Sequence, residues 1–159
     1  MNIAEKIVYT TTLDQLLNGI VVLPHDLPSA FDVSVSGVQL DSRLVQPGDL
    51  FLACFGKNHD ARDYIDIAIE RGAVAVLAHA SGQWQGATLR KGILILAVAD
   101  LAAKAGEVAS RFYDEPSAAM TMFGVTGTNG KTSCTQFIAQ VLNGMNRCCG
   151  EIGTLGMGV

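Results

Sequence analysis

The chain has 159 residues, 49% of them hydrophobic, with 11 Lys and Arg and a formal net charge of −4. This balance excludes a disordered polymer and argues against nucleic acid as the principal partner. No apolar run approaches the ~20 residues that a membrane-spanning helix needs, so no membrane insertion is expected.

Along the chain, Met1–Lys6 lacks the basic region and continuous apolar stretch of a signal peptide, and a cytoplasmic location is the expectation. A short helix is predicted around Leu13–Leu17, and Pro24 and Pro28 mark a loop or an edge. Val33–Leu40 alternates and reads as a strand, followed directly by Asp41-Ser42-Arg43. Asp41 could simply cap a turn there, with Arg43 in a surface ion pair. Pro47-Gly48-Asp49 predicts a turn, and Leu50–Phe55 a strand buried on both faces. After the Gly56–Asp60 loop, Tyr64, Ile65, Ala68 and Ile69 share one helical face, and Gly72 stops the helix. Ala73–Ala78 is the next buried strand, 79–91 a polar connection, and Ile93–Val98 a further strand. Asp100 is expected to cap a helix whose Leu101, Ala105, Val108, Ala109 and Phe112 face a core. Alternating strands and helices predict an α/β fold with a largely parallel sheet, divided near Ala99 into a first domain, 1–99, and an incomplete second one, 100–159.

The second part carries the most informative segment, Thr126-Gly127-Thr128-Asn129-Gly130-Lys131-Thr132. It follows the apolar run Met120–Val125, read as a buried strand. It precedes Cys134, Phe137, Ile138, Val141, Leu142 and Met145 at helical spacing. Strand, glycine-rich turn, Gly-Lys-Thr and helix form the context of a phosphate-binding loop: backbone N–H groups and the helix N-terminus face phosphate oxygens, Lys131 reaches the β- and γ-phosphates, and the Thr132 hydroxyl can ligate Mg²⁺. Val125 stands where the general pattern has its first Gly. Cys54, Cys134, Cys148 and Cys149 form no C-x-x-C pair and are expected to be reduced, buried apolar residues. His25 and His79 read as structural or exposed, Trp84 as locally packed, and Asp63, Asp66 and Glu70 as a helix's solvent face.

Leu40-Asp41-Ser42-Arg43, Pro47-Gly48-Asp49-Leu50-Phe51, Gly72-Ala73, Gly124–Thr132 and Gly150–Thr154 together resemble the Mur ligases of peptidoglycan synthesis, over essentially the whole chain and including the loop spacing. The nearest pattern is that of the ligases that add the third residue. The resemblance implies a uridine-binding domain followed by the start of a P-loop ATPase domain. It implies an ATP- and Mg²⁺-dependent ligase that activates UDP-MurNAc-L-Ala-D-Glu as an acyl phosphate and joins it to a diamino acid, diaminopimelate or lysine. By position, Leu40, Ser42, Lys57, Asn58 and His59 would hold the uridine nucleotide. Gly127, Thr128, Asn129, Gly130, Lys131, Thr132 and Ser133 would wrap the ATP phosphates, with Lys131 catalytic and Thr132 on the metal. The family often has Gly where Ala61 stands. Residues that select the diamino acid, and a modified lysine that helps hold Mg²⁺, would lie downstream, so this chain alone is expected to be inactive. A MurF-type ligase, a folylpolyglutamate synthase and a stand-alone uridine-nucleotide module remain alternatives.

Overall fold

A computed structural model describes residues 9–23, 32–56 and 59–158. The chain forms two compact units, one ending at Ala119 and one starting at Met120. The expected loop at Pro24 and Pro28, His25, and the loop-tip residues Lys57 and Asn58 lie outside the described residues.

In the first unit, β1 (Thr11–Thr12) leads into helix α1 (Leu13–Leu17). The Thr12 hydroxyl accepts from the Gln15 amide while the Gln15 side chain turns back to the Thr12 amide, a capping box that fixes this short helix. The expected strand over Val33–Leu40 is interrupted at Ser36. β2 (Ser34–Val35) pairs antiparallel with β1, whereas β3 (Gly37–Gln39) enters the main sheet. That sheet has five strands in the order β3-β4-β5-β7-β6, where β4 is Asp49–Ala53, β5 Ala75–His79, β6 Ala87–Arg90 and β7 Ile93–Val98. β3, β4, β5 and β7 run parallel, as the alternating pattern predicts, and β6 closes one edge antiparallel to β7. β6 falls in the stretch expected to be a plain connection; its Thr88, Leu89 and Arg90 are exposed, so it carries no apolar run to announce it.

The apolar strands read as buried on both faces because helices cover both. On one face Leu50, Leu52, Leu77, Leu94 and Leu96 pack with Leu13, Leu16 and Leu17 of α1 and with Leu101, Ala105, Val108 and Phe112 of α3 (Leu101–Phe112). On the other, Phe51, Ala53, Val76, Ala78 and Ile95 pack with Ile65 and Ala68 of α2 (Ile65–Glu70). Successive residues of β4 therefore enter opposite cores, the geometry of a pleated strand. α2 follows a 3₁₀ turn at Ala61–Tyr64 and ends at Glu70; Gly72, just past its C-cap Arg71, has a φ of +102°.

The expected boundary at Ala99 thus cuts through a core. α3 belongs to the first unit, and Arg111 donates to the carbonyls of Leu16 and Asn18 at the end of α1. Asp100 does sit at the start of α3, but in a left-handed conformation (φ +53°) with no side-chain capping bond; its carbonyl accepts from Ala103 and Lys104 instead.

The second unit holds α4 (Lys131–Gly144) and a hairpin of β8 (Glu151–Gly153) with β9 (Gly156–Gly158). Met120–Val125, expected as a buried strand, is not in a sheet, and Met122 and Phe123 are exposed. α4 follows the expected helical spacing, yet Phe137, Val141 and Met145 face solvent. A strand needs neighbours to be buried, and none of the described residues of this unit pairs with Met120–Val125. The cysteines are all free, as expected, but not buried: Cys134 and Cys148 are exposed, Cys54 and Cys149 half-buried.

Candidate functional site

Each unit presents its own candidate site. In the first, an open cavity of about 450 Å³ is lined by Leu40, Asp41, Ser42 and Arg43, by Phe51 from β4, and by His59, Ala61, Tyr64 and Ile67. Leu40–Arg43 directly follow β3, and His59 and Ala61 follow β4, so the cavity lies past the carboxyl ends of adjacent parallel strands, where open α/β sheets bind ligands. Three of the five sequence-predicted residues, Leu40, Ser42 and His59, meet there. Lys57 and Asn58 lie outside the described residues.

Ser42 is only 7% exposed although it lies in a turn. The turn is held by Asp41, whose Oδ1 accepts from the Arg43 amide at 2.9 Å, while Arg43 Nε and Nη2 grip the same carboxylate at 3.0 and 2.6 Å. Asp41 does cap the turn, and Arg43, with a side chain 85% exposed, forms the surface pair that the plain reading of these residues expects. The Arg43 guanidinium hydrogen-bonded to it holds the Asp41 carboxyl down to about 2. Between the two residues of the clasp, Ser42 lines the cavity.

The same arrangement recurs across the cavity. Asp60 Oδ1 accepts from the Arg62 amide at 3.0 Å, and Arg62 Nε and Nη2 grip the carboxylate at 2.8 and 2.6 Å, with Ala61 between them on the cavity wall. Hydrogen bonding from Arg62 lowers the Asp60 pKa as well. Phe51, Ala61, Tyr64, Ile67 and this second clasp join the cavity without being expected there from the sequence. The signal for the clasp was present: Asp60-Ala61-Arg62 repeats the spacing of Asp41-Ser42-Arg43.

In the second unit, Gly127 through Gly130 form an exposed loop, and Lys131, Thr132 and Ser133 are the first residues of α4. Gly130, at φ +80°, occupies the N-cap position, and no side chain caps the helix. The free N–H groups of the first turn are therefore open to an anion. Lys131 Nζ donates to the Gly127 carbonyl at 2.6 Å and reaches the Thr128 carbonyl at 3.5 Å, so the ammonium already lies over the loop. The Thr132 hydroxyl stands 3.4 Å from that of Thr154. These donors fit a polyphosphate. For a divalent cation they offer hydroxyl oxygen, and no cluster of three or more His, Cys, Asp or Glu exists among the described residues. A hydroxyl oxygen suits a hard divalent cation such as Mg²⁺.

Residues 34–114, half of the chain, match the profile of the Mur ligase family, catalytic domain. The chain belongs to the Mur ligase family. Its matched part is the first unit, from β2 to the end of α3. The chain is 48% identical over 127 residues to the UDP-N-acetylmuramoyl-L-alanyl-D-glutamate–2,6-diaminopimelate ligase of Coxiella burnetii, covering 80% of this chain and 26% of that protein. It superposes on a solved 2,6-diaminopimelate ligase of the same name with a TM-score of 0.67 at 24% identity, over 94% of this chain and 28% of the other. It also superposes on the MurF ligase of Thermotoga maritima, solved in complex with ADP, with a TM-score of 0.51 at 28% identity, over 67% of this chain and 23% of that one. The α/β fold with a parallel sheet is therefore that of Mur ligases. The chain spans about a quarter of the length of the curated relatives it matches. No helix among the described residues is long and apolar enough to cross a membrane.

Proposed function

We propose that this chain is the amino-terminal part of an ATP-dependent Mur ligase of peptidoglycan synthesis that joins a diamino acid, diaminopimelate by the relatives' names, to UDP-MurNAc-L-Ala-D-Glu in the cytoplasm. In this reading the cavity of the first unit holds the uridine nucleotide end of the substrate, and the Gly127–Ser133 segment holds the phosphates of ATP. The observation that carries it is that a chain 48% identical to such a ligase holds both a cavity past the ends of parallel strands and, in its second unit, an uncapped helix start behind Gly-Lys-Thr.

The residues divide the work. Ser42 and His59 offer a hydroxyl and an imidazole to polar groups of the nucleotide, Leu40 and Phe51 its apolar boundary, and Lys57 and Asn58 belong to the same loop by sequence. The Gly127–Ser133 amides and the Lys131 ammonium bind phosphate oxygens. When a phosphoryl group moves to the substrate carboxylate, a fixed ammonium stabilises the oxygens that gain charge. Lys131 would exchange its bonds to the loop carbonyls for bonds to phosphate. ATP, with Mg²⁺ held through the Thr132 hydroxyl, would supply the phosphoryl group that turns the D-glutamyl carboxylate into an acyl phosphate. The amine of the diamino acid then attacks the acyl carbon and phosphate leaves.

Titrating the 159-residue chain with UDP and, separately, with Mg·ATP by calorimetry tests the division. We expect UDP binding to be lost in Ser42→Trp, which fills the cavity, and unchanged in Lys131→Ala; ATP binding should respond in the opposite way. Binding of UDP alone would favour a uridine-nucleotide module, and loss of UDP binding in Lys131→Ala would refute the two-site division.

A further inference from the structure

Arg62 directly follows Ala61 of the cavity wall, but its own side chain turns inward and is only 9% exposed. Its guanidinium is occupied on every side. Nε and Nη2 hold Asp60, Nη1 donates to the His79 carbonyl at 3.0 Å and to the Ser81 hydroxyl, and the guanidinium carbon lies 5.2 Å from the centre of the Phe55 ring. Phe55 in turn stacks on His79 at 5.9 Å. One side chain therefore joins the limb His59–Arg62 to the end of β5 and the residues just after it.

That limb is tightly returned on the end of β4. The Gly56 amide donates to the His59 carbonyl at 3.1 Å, and the Ala61 amide to the Cys54 carbonyl at 3.2 Å. A Cβ on Gly56 would stand 2.8 Å from the His59 carbonyl oxygen, so only glycine permits the approach. These backbone bonds tie the limb to β4 alone. Arg62 is what ties it to β5.

We propose that Arg62 is a positioning residue for the ligand cavity: by clamping Asp60 to the end of β5 it sets where His59 and Ala61 meet a uridine nucleotide. The proposal rests on the nucleotide reading of that cavity. The planar fork matters as well as the charge. An ammonium cannot grip the carboxylate edge-on while also reaching the His79 carbonyl and the Ser81 hydroxyl.

The test uses the 159-residue chain. UDP affinity is measured by calorimetry, and amide hydrogen exchange at Gly56 and Ala61 is followed by NMR. Arg62→Ala should weaken UDP binding about tenfold or more and strip protection from both amides, while β4 and β5 amides stay protected; losing one well-placed hydrogen bond already costs about fivefold. Arg62→Lys should recover only a minor part of that loss. Arg90→Ala, which breaks the ion pair with Asp66 outside the cavity lining, should leave UDP affinity unchanged. Unchanged UDP affinity in folded Arg62→Ala, full recovery by Arg62→Lys, or retained protection at Gly56 and Ala61 would each overturn the proposal. If Arg62→Ala does not fold, Ser81→Ala removes one anchor of Arg62 and should weaken UDP binding two- to five-fold; no change there would overturn it equally. Failure of the unmodified chain to bind UDP would instead overturn the nucleotide reading, and the amide protection would then decide by itself whether Arg62 holds the limb.

Discussion

Leu50–Phe55 and Met120–Val125 look alike in the sequence, each an apolar run that a helix follows, and they end differently. Within the first run, Leu50, Phe51 and Leu52 are almost wholly buried, with paired strands on both sides and helices on both faces. In the second, Met122 and Phe123 are exposed and no strand pairs with them among the described residues. Among the described residues, the buried hydrophobic ones all lie at or before Phe112, and α4 buries none. Apolar patterning states what a segment can bury; whether it does so depends on partners the segment does not contain.

The sharpest way to break this comparison is to move the boundary. A chain ending at residue 99 loses Leu101, Ala105, Val108 and Phe112 from the first core and the bonds from Arg111 to α1. At about 1.5–3 kcal/mol for each large buried apolar side chain, that loss rivals the whole stability of a typical domain, about 5–15 kcal/mol. We expect residues 1–99 to show no cooperative urea transition and residues 1–119 to show one close to that of the full chain. Cooperative unfolding of 1–99 would mean that α3 is dispensable to the first core.

Much of the first unit could be read in advance because its signals are local and mutually consistent. Leu13–Leu17, the three parallel strands from Leu50 to Val98 and the core face of α3 follow from periodicity and turn residues alone. Leu40, Ser42 and His59 converge because each directly follows a strand or its loop. What escaped the reading depends on tertiary pairing. β6, Ala87-Thr88-Leu89-Arg90, is short and exposed at three of its four residues, so only its register against β7 makes it a strand. The apolar face of α3 says that it packs, not on what, so the sequence alone sets it beyond Ala99 whereas the structure packs it in the first core. Phe51 was legible as core but not as a cavity wall, since it serves both. The phosphate-binding turn was legible in full as a motif, whereas the exposure of the elements around it was not.

Matched substitutions sharpen the comparison within one residue type. Phe51 is 0% exposed and Phe137 64%. Phe51→Ala should cost about 3–5 kcal/mol, from lost burial plus the cavity left behind. Phe137→Ala should change the stability of this chain by less than about 0.5 kcal/mol, as surface substitutions usually do. Urea midpoints at constant m-value would measure both. A large effect at Phe137 would show that α4 is buried in solution after all.

The smallest expected effect lies in acid and concerns the two Asp-x-Arg clasps of the first unit. Both carboxyls are lowered chiefly by side-chain hydrogen bonds from an arginine two residues on. A carboxyl whose pKa is lower in the folded state favours folding above its unfolded value, and that contribution disappears as pH falls through the folded value. For Asp41 the window runs from 3.8 down to about 2. The clasps differ in surroundings, however. Arg43 is 85% exposed and its pair lies in water, whereas Arg62 is 9% exposed and bonded on to β5. Salt screens an exposed pair far more than a sheltered one. Carboxyl-carbon NMR titrations at low salt and at 1 M NaCl should therefore show the Asp41 pKa climbing toward its ordinary value while that of Asp60 moves little. Equal salt sensitivity at the two sites would mean that Arg62 is as open to solvent as Arg43, and would remove the physical basis for a rigid second wall.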